Sequence, residues 1–145
     1  MRTRKEILTD RLLLLYAVDR ANHYGQMEGP FKLIKIPFAA ELASNRASVK
    51  GFNYTFFRYL YGPFTTEIYE DWGAIERAGL GTPKKGPVKL TKKGQEIVDS
   101  LEPLFDENRR IGSKISSAAR SYANLSFEEL KREIYDLQVR FAGTM

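Results

Sequence analysis

The stretch FTTEIYEDWGAIERAGLGTPKKGPVKLTKKGQEIVDSL, residues 64–101, decides the fold. Thr65 or Thr66 can cap a helix that runs to about Ala78, and Gly79 suits the end of that helix. Apolar side chains recur along this helix at helical spacing, as Ile68, Trp72 and Ile75. The pattern predicts a helix that turns one face into a core and the other toward solvent.

A basic turn and a second helix follow. GTPKKGP, residues 81–87, predicts the turn, and Val88–Leu90 predicts a short strand after it. Thr91 can cap a helix that runs to about Glu107. The side chains expected to point inward from this helix are Ile97, Val98, Leu101, Leu104 and Phe105. The order is therefore helix, basic turn, short strand, helix.

Toward the N-terminus the sequence predicts two helices. The first covers about residues 5–24, where leucines form a broad apolar face, and Gly25 ends it. The second covers about residues 31–43, and Pro37 within it predicts a kink or an early break. Residues 44–51 are expected to form a loop.

The stretch FNYTFFRYLYGPF, residues 52–64, is unusually aromatic. Aromatic side chains favour strands, so the composition predicts a strand here. Tyr61-Gly62-Pro63 is expected to end that strand in a turn. A role in core or sheet packing is the first interpretation of these rings, because each ring buries a large area. Stacking of single-stranded bases beside Arg58 is the alternative.

Two more helices are predicted at the C-terminal end. One covers about residues 108–123. The other begins at a capping box formed by Ser126 and Glu129. Its apolar side chains repeat at helical spacing, as Leu130, Ile134, Leu137 and Phe141. These two helices follow the helix, basic turn, short strand and helix predicted for residues 64–101.

Residues 75–94 resemble the back half of a winged-helix domain. IERAGLG at 75–81 would end the recognition helix, the Lys-Gly turn would be the wing, and LTKKG at 90–94 would open the next helix with the pattern Leu-Thr-x-x-Gly. FRYLYGPFTTEIYEDW at 57–72 is similar to phage-associated proteins and Panacea-type antitoxins. These resemblances imply a role in gene regulation or in neutralising a partner protein.

The predicted fold is therefore mainly α with a small β-hairpin: a winged helix-turn-helix core with extra N- and C-terminal helices. Residues 1–107 would form the core. Residues 108–145 would form a helical extension that packs on this core or makes a dimer interface, and the whole chain would be one domain. A chain of 145 residues can bury a single hydrophobic core of this kind.

Composition restricts the function classes. The chain has no cysteine, which excludes disulfides, zinc–thiolate sites and thiol catalysis, and it has one histidine, His23. The apolar run at 12–18 is far shorter than the roughly 20 residues that span a bilayer. Charged residues flank this run and no small-residue cleavage site follows. We therefore expect a cytoplasmic protein with no membrane association.

We expect no enzyme activity, no catalytic residue, no bound metal and no cofactor. The glycine spacing of residues 81–86 is that of a phosphate-binding loop, but Pro87 and Val88 stand where that loop needs lysine and serine or threonine. The adjacent carboxylates of Glu70 and Asp71 diverge on a helix, so they cannot act as a pair. A binding function is the remaining class.

Double-stranded DNA is the expected partner. The formal net charge is +5, and basic residues concentrate on the predicted wing and on the start of the following helix. The outward face of the predicted recognition helix would meet the groove. The predicted DNA-binding residues are Thr66, Tyr69, Arg77, Lys84, Lys85, Lys89, Lys92 and Lys93.

A protein-binding module, antitoxin-like or adaptor-like, is the alternative. Glu67, Glu70 and Asp71 make the recognition helix acidic, which suits a protein partner better than DNA. A homodimer through residues 108–141 is also possible in this scheme. Its contact could use a line of small residues, namely Gly112, Ser116 and Ala119.

Overall fold

The computed structural model describes residues 1–59 and 62–144. Within these residues the chain forms six helices and one two-stranded antiparallel sheet. In chain order the elements are α1 (Arg4–Tyr24), α2 (Pro30–Arg46), β1 (Phe57–Tyr59), β2 (Gly62–Phe64), α3 (Thr66–Arg77), α4 (Lys92–Glu107), α5 (Arg109–Tyr122) and α6 (Phe127–Thr144). The prediction of a mainly helical fold with a small β-hairpin is confirmed.

The hydrophobic core forms around α5, which packs against both α1 and α2. Ile115 of α5, Leu14 of α1 and Leu33 of α2 are all fully buried. Around this centre, α3 packs on α1, α4 packs on α1 and α5, and α6 packs on α2 and β2. Helix α5 therefore shares one core with the elements that precede it in the chain.

Side-chain caps mark the helix starts that the sequence predicted. The Thr65 hydroxyl accepts an amide hydrogen bond at the start of α3, at 3.2 Å. Thr91 caps α4 in the same way at 3.1 Å. Ser126 and Glu129 form a reciprocal capping box before α6, with both hydrogen bonds at 3.2 Å. Each cap satisfies amide groups that have no partner within the helix.

Most of the side chains expected to face inward from α4 and α6 do so. Val98 is buried on α4, as are Leu130 and Ile134 on α6, while the side chain of Phe141 lies outside the described residues. The prediction for Leu104 is wrong, because its side chain is 52% exposed. At about 100° per residue, Leu104 lies about 120° around the helix from Val98 and misses the core.

Helix α2 is longer than predicted and passes through Pro37 without a break. It reaches Arg46, so the first residues of the expected loop at 44–51 are helical. Ser44 is buried, and its hydroxyl donates to the carbonyl of Ala40 at 2.8 Å. Because residues 33–40 are all buried, packing around the helix outweighs the hydrogen bond that proline removes.

The long strand predicted for residues 52–64 is wrong. Only residues 57–59 and 62–64 pair, with Arg58 opposite Pro63, so Gly62 and Pro63 lie within β2 instead of ending a strand. Tyr61 lies outside the described residues. Residues 53 and 55 form no strand because their amides donate to the carboxylates of Asp10 and Glu67. Side chains from α1 and α3 thus replace a neighbouring strand.

Residues 80–91, named here the basic hairpin, connect α3 to α4. The predicted strand Val88–Leu90 is reduced to one antiparallel bridge between Gly81 and Leu90. The amide of Val88 donates to the carbonyl of Met27 at 2.7 Å, so it bonds to the α1–α2 connection and not across the hairpin. This bond explains why the ladder stays short and attaches the hairpin to the core.

Candidate nucleic-acid interface

The eight residues predicted to bind DNA lie on α3, the basic hairpin and the first turn of α4. Six of them are exposed, namely Thr66, Arg77, Lys85, Lys89, Lys92 and Lys93. Tyr69 and Lys84 are half-buried. This difference in exposure has a direct cause, because the last two side chains contact each other.

The basic hairpin lies against α3. The Lys84 Nζ sits 4.2 Å from the centroid of the Tyr69 ring, a cation–π contact. The Trp72 Nε1 donates to the carbonyl of Thr82 at 2.8 Å, and the indole ring lies so close to Gly81 that a Cβ there would come within 2.5 Å of it. The hairpin is therefore held on the same helix that carries Thr66, Tyr69 and Arg77.

Lysines at the start of α4 are not equivalent. The Lys93 Nζ donates to the carbonyl of Ala78, which closes α3, at 3.4 Å. A lysine near the carboxyl end of a helix interacts favourably with the helix dipole, so Lys93 has a structural role at α3. Lys93 is nevertheless exposed, as are Lys92 in the same turn and Lys89 on the basic hairpin. All three ammonium groups can therefore meet an external anion, and Lys93 would exchange its 3.4 Å hydrogen bond for that contact.

The outward face of α3 runs along Thr66, Glu70, Gly73 and Arg77, and each of these residues is exposed or half-exposed. A Cβ on Gly73 would meet an Arg77 guanidinium nitrogen at 3.2 Å. The Arg77 side chain therefore folds back along the outer face and crosses Gly73. A bulkier residue at position 73 would displace it.

Two of the carboxylates that make α3 acidic are neutralised by arginines from the N-terminal part of the chain. The Arg2 guanidinium contacts Asp71 at 2.8 Å and Glu67 at 3.1 Å. The Arg11 Nε contacts Asp71 at 3.0 Å from another direction. Helix α3 therefore presents less negative charge than its sequence suggests, although Glu70 and Glu76 stay exposed.

Arg2 also joins α1 to α3. Arg2 contacts Asp10 at 2.9 Å, and both Asp10 and Asp71 are 0% exposed. The Tyr54 hydroxyl donates to Asp71 at 2.8 Å, and the Arg2 guanidinium lies 5.2 Å from the centroid of the Tyr54 ring. We call Arg2, Asp10, Tyr54 and Asp71 the buried charge cluster.

The pKa values within this cluster follow its contacts. Burial alone would lower the pKa of Arg2, but its hydrogen bonds with Asp71 and Asp10 outweigh burial and raise the pKa. Burial raises the pKa of Asp10, with Arg2 opposing it. Burial and the neighbouring Asp71 carboxylate raise the pKa of Tyr54 well above its ordinary value. Tyr54 therefore remains a hydrogen-bond donor.

Sequence reasoning did not identify the buried charge cluster, although a signal was present. Ile68, Asp71, Trp72 and Ile75 follow the spacing of one helical face, so Asp71 belongs to the apolar stripe of α3. A carboxylate in such a stripe is buried and needs a partner. The identity of that partner, Arg2, could not be read from local spacing.

Glu41 on α2 adds a buried carboxylate oxygen beside this cluster. Among the described residues, its Oε1 is buried and has no hydrogen-bond partner. The backbone of Gly51 lies so close to this oxygen that a Cβ at position 51 would come within 2.6 Å of the Glu41 Oε1. The pKa of Glu41 is raised to about 7, because burial and, to a smaller extent, the charge of Asp10 outweigh the opposing effects of Lys50 and the amide of Phe52.

Replacing Glu41 by glutamine is expected to stabilise the fold at pH 8 by about 1–2 kcal/mol, with a much smaller gain at pH 5. The raised pKa means that the folded chain binds more protons than the unfolded chain. The stability contribution of Glu41 is therefore complete below about pH 4.5 and is lost as pH rises through about 7. Urea denaturation at both pH values measures the difference.

The matched control is Glu96→Gln, which removes an exposed carboxylate from α4. This substitution should change stability by no more than about 0.5 kcal/mol at either pH. If Glu41→Gln behaves like this control at pH 8, Glu41 is ionised in the fold without cost, and burial does not raise its pKa.

Within the described residues, no group of three or more histidine, cysteine, aspartate or glutamate side chains could hold a metal ion. None of the helices described by the structure is both long and apolar enough to cross a membrane. Comparisons with protein-family models, with curated proteins and with solved structures found no match for this chain.

Proposed function

We propose that this chain binds double-stranded DNA as a winged-helix transcriptional regulator. Residues expected to contact phosphates are Lys84, Lys85, Lys89, Lys92 and Lys93, and those expected to face the groove are Thr66, Tyr69 and Arg77. The observation that carries the proposal is the 4.2 Å contact of Lys84 with Tyr69, because it makes the basic hairpin and α3 neighbours on one surface.

In this proposal α3 is the recognition helix and the basic hairpin is the wing. A recognition helix reads base edges with its outward residues, while flanking cations fix its register on the phosphates. The hairpin β1–β2 separates α2 from α3, and α3 packs on α1. Helix α1 would therefore support the recognition helix.

Electrostatics favour DNA over an acidic protein surface. Arg2 and Arg11 neutralise Glu67 and Asp71, two of the four carboxylates of α3, and so reduce the negative charge that argued against phosphate binding. Glu70 stays exposed on α3, and a carboxylate there can accept a hydrogen bond from a cytosine amine. The lysines nearby would balance it.

Changing the five lysines to alanine is expected to weaken binding to a generic DNA duplex by roughly a hundredfold or more at low salt. The dependence of log affinity on log salt should flatten by roughly 0.9 for each phosphate that is no longer neutralised. Fluorescence anisotropy at two or more salt concentrations measures both quantities. Circular dichroism checks that the variant folds.

The control removes five positive charges elsewhere, at Arg109, Arg110, Lys114, Arg120 and Arg132 on α5 and α6. Both variants lower the net charge equally, so a difference between them reports location and not overall charge. Equal loss of affinity would assign the binding to general basicity. A wild-type chain that binds no duplex at low salt would overturn the proposal.

A protein-binding module of the antitoxin or adaptor type is the second candidate. The observation that favours it is the exposure of Phe57 and Phe127, each 47% accessible to solvent. Aromatic residues are enriched where protein surfaces meet. Absence of DNA binding, together with a stable protein complex that is lost when Phe57 or Phe127 is changed to alanine, would support this candidate.

A homodimer through residues 108–141 would need a face other than the small-residue line of α5. Gly112 and Ala119 on this line are buried within the chain, and the hydroxyls of Tyr16 and Ser116 are 3.1 Å apart. Helix α1 of the same chain therefore already packs closely on this line of small residues. Light scattering of the purified chain gives its mass in solution and tests the dimer directly.

A further inference from the structure

Lys35 on α2 is the most unusual buried cation in the described chain. Its residue is 3% exposed and lies between Ile34 and Ile36, which are both buried. Lysine is almost never fully buried without a paired charge. Among the described residues, no carboxylate lies within 4 Å of the Lys35 ammonium group.

Two uncharged groups contact the Lys35 ammonium group. The Nζ donates to the carbonyl of Pro63 in β2 at 2.5 Å and lies 4.8 Å from the centroid of the Phe31 ring. An ammonium group has three donor hydrogens, and the carbonyl accepts only one of them. The positive charge thus lacks a counter-ion, and burial lowers the pKa of Lys35 to about 8.

Lys35 lines a cavity of about 170 Å³ between α2, β2 and α3. The other walls are mainly apolar and include three aromatic rings, those of Phe31, Phe64 and Tyr69. A dry apolar cavity of about 150 Å³ accommodates benzene. The space therefore suits one six-membered ring, and its single cation suits one negative charge on that ring.

We propose that this cavity is a binding site for a small aromatic carboxylate. The ring of the ligand would pack among Phe31, Phe64 and Tyr69, and its carboxylate would accept a hydrogen bond from Lys35. A carboxylate beside a buried ammonium supplies the counter-ion that the fold leaves out, and charge-assisted hydrogen bonds are stronger than neutral ones. A ligand with only a ring would pack on the aromatic walls without pairing Lys35, and a ligand with only a charge would pair Lys35 without filling the cavity.

The test uses sodium benzoate as the probe and the full chain without DNA, so its outcome does not depend on the proposed DNA binding. Titration calorimetry gives the affinity, and amide chemical shifts in NMR spectra locate the ligand. Benzoate is expected to shift the amides of Gly62 and Tyr69 and to bind at least about tenfold more tightly than benzyl alcohol or acetate. Equal affinity for benzoate and benzyl alcohol would overturn the proposal.

Lys35→Met keeps an unbranched side chain and removes the charge. It is expected to weaken benzoate binding about ten- to a hundredfold. The control Lys114→Met removes a lysine from α5 and should leave the affinity unchanged. Unchanged binding by a folded Lys35→Met protein would overturn the assignment.

A wild-type measurement keeps the proposal testable if Lys35→Met does not fold. Benzoate affinity should fall about tenfold as pH rises from 7 to 9.5, because Lys35 loses its proton near pH 8 while benzoate stays ionised. Tyr69, the other titratable group in the cavity wall, keeps its proton because burial raises its pKa. Affinity that is independent of pH over this range would contradict the role of Lys35.

Discussion

Replacing Arg2 by methionine is expected to lower the free energy of unfolding by about 3–5 kcal/mol, the usual effect of removing one partner from a buried ion pair. Asp10 and Asp71 are fully buried and both depend on this guanidinium, at 2.9 and 2.8 Å. Without Arg2, Asp10 loses its cation, and Asp71 keeps Arg11 and the Tyr54 hydroxyl. The loss is therefore an electrostatic effect and not a packing effect, since methionine retains a long apolar side chain.

Urea denaturation followed by circular dichroism at pH 7 measures this loss. The matched control is Arg4→Met, which removes an exposed arginine two residues away and should change stability by no more than about 0.5 kcal/mol. The double variant Arg2→Met, Asp10→Asn should be more stable than the sum of the single effects predicts, because it removes the carboxylate left without a cation. Equal stability of Arg2→Met and Arg4→Met would show that the buried charge cluster contributes nothing.

Local signals in the sequence predicted most of the helical framework. Thr65 and Thr91 cap α3 and α4 as expected, and the apolar stripe of α3 is buried. Caps and stripes act over one or two helical turns, so they can be read without knowing the rest of the fold. The same locality explains why the predicted strand at 52–64 failed, because two of its amides bond to carboxylates of α1 and α3, beyond the range of local patterns.

The candidate interface was predictable in composition but not in arrangement. All eight residues could be named from charge and helical spacing, yet the contact between Lys84 and Tyr69 depends on how the basic hairpin packs on α3. The neutralisation of Asp71 by Arg2 joins residues 69 positions apart, and no local pattern encodes such a pair. Lys35 did carry a signal, because it lies within the largely apolar stretch at 33–42 that the fold buries on several sides.

Gly94→Ala is expected to destabilise the fold by about 3 kcal/mol or more, although alanine is the better helix former by about 1 kcal/mol. Gly94 lies in the first turn of α4, where a Cβ would overlap the Leu80 carbonyl oxygen and come within 3.0 Å of its carbon. This carbonyl cannot move freely, since it accepts the amide of Thr91 at 3.0 Å next to the bridge between Gly81 and Leu90. Relief of the clash would require the basic hairpin and α4 to separate.

The control for this prediction is Gly86→Ala at the tip of the basic hairpin, where a Cβ would meet nothing within 4 Å. That substitution should change stability by no more than about 0.5 kcal/mol. Urea denaturation of both variants tests the pair, and a Gly94→Ala protein as stable as the wild type would refute the proposed clash. A destabilised Gly94→Ala protein would assign a physical role to the glycine of the Leu-Thr-x-x-Gly pattern. The absence of a side chain at Gly94 lets the first turn of α4, which carries Lys92 and Lys93, pack directly against Leu80 of the basic hairpin.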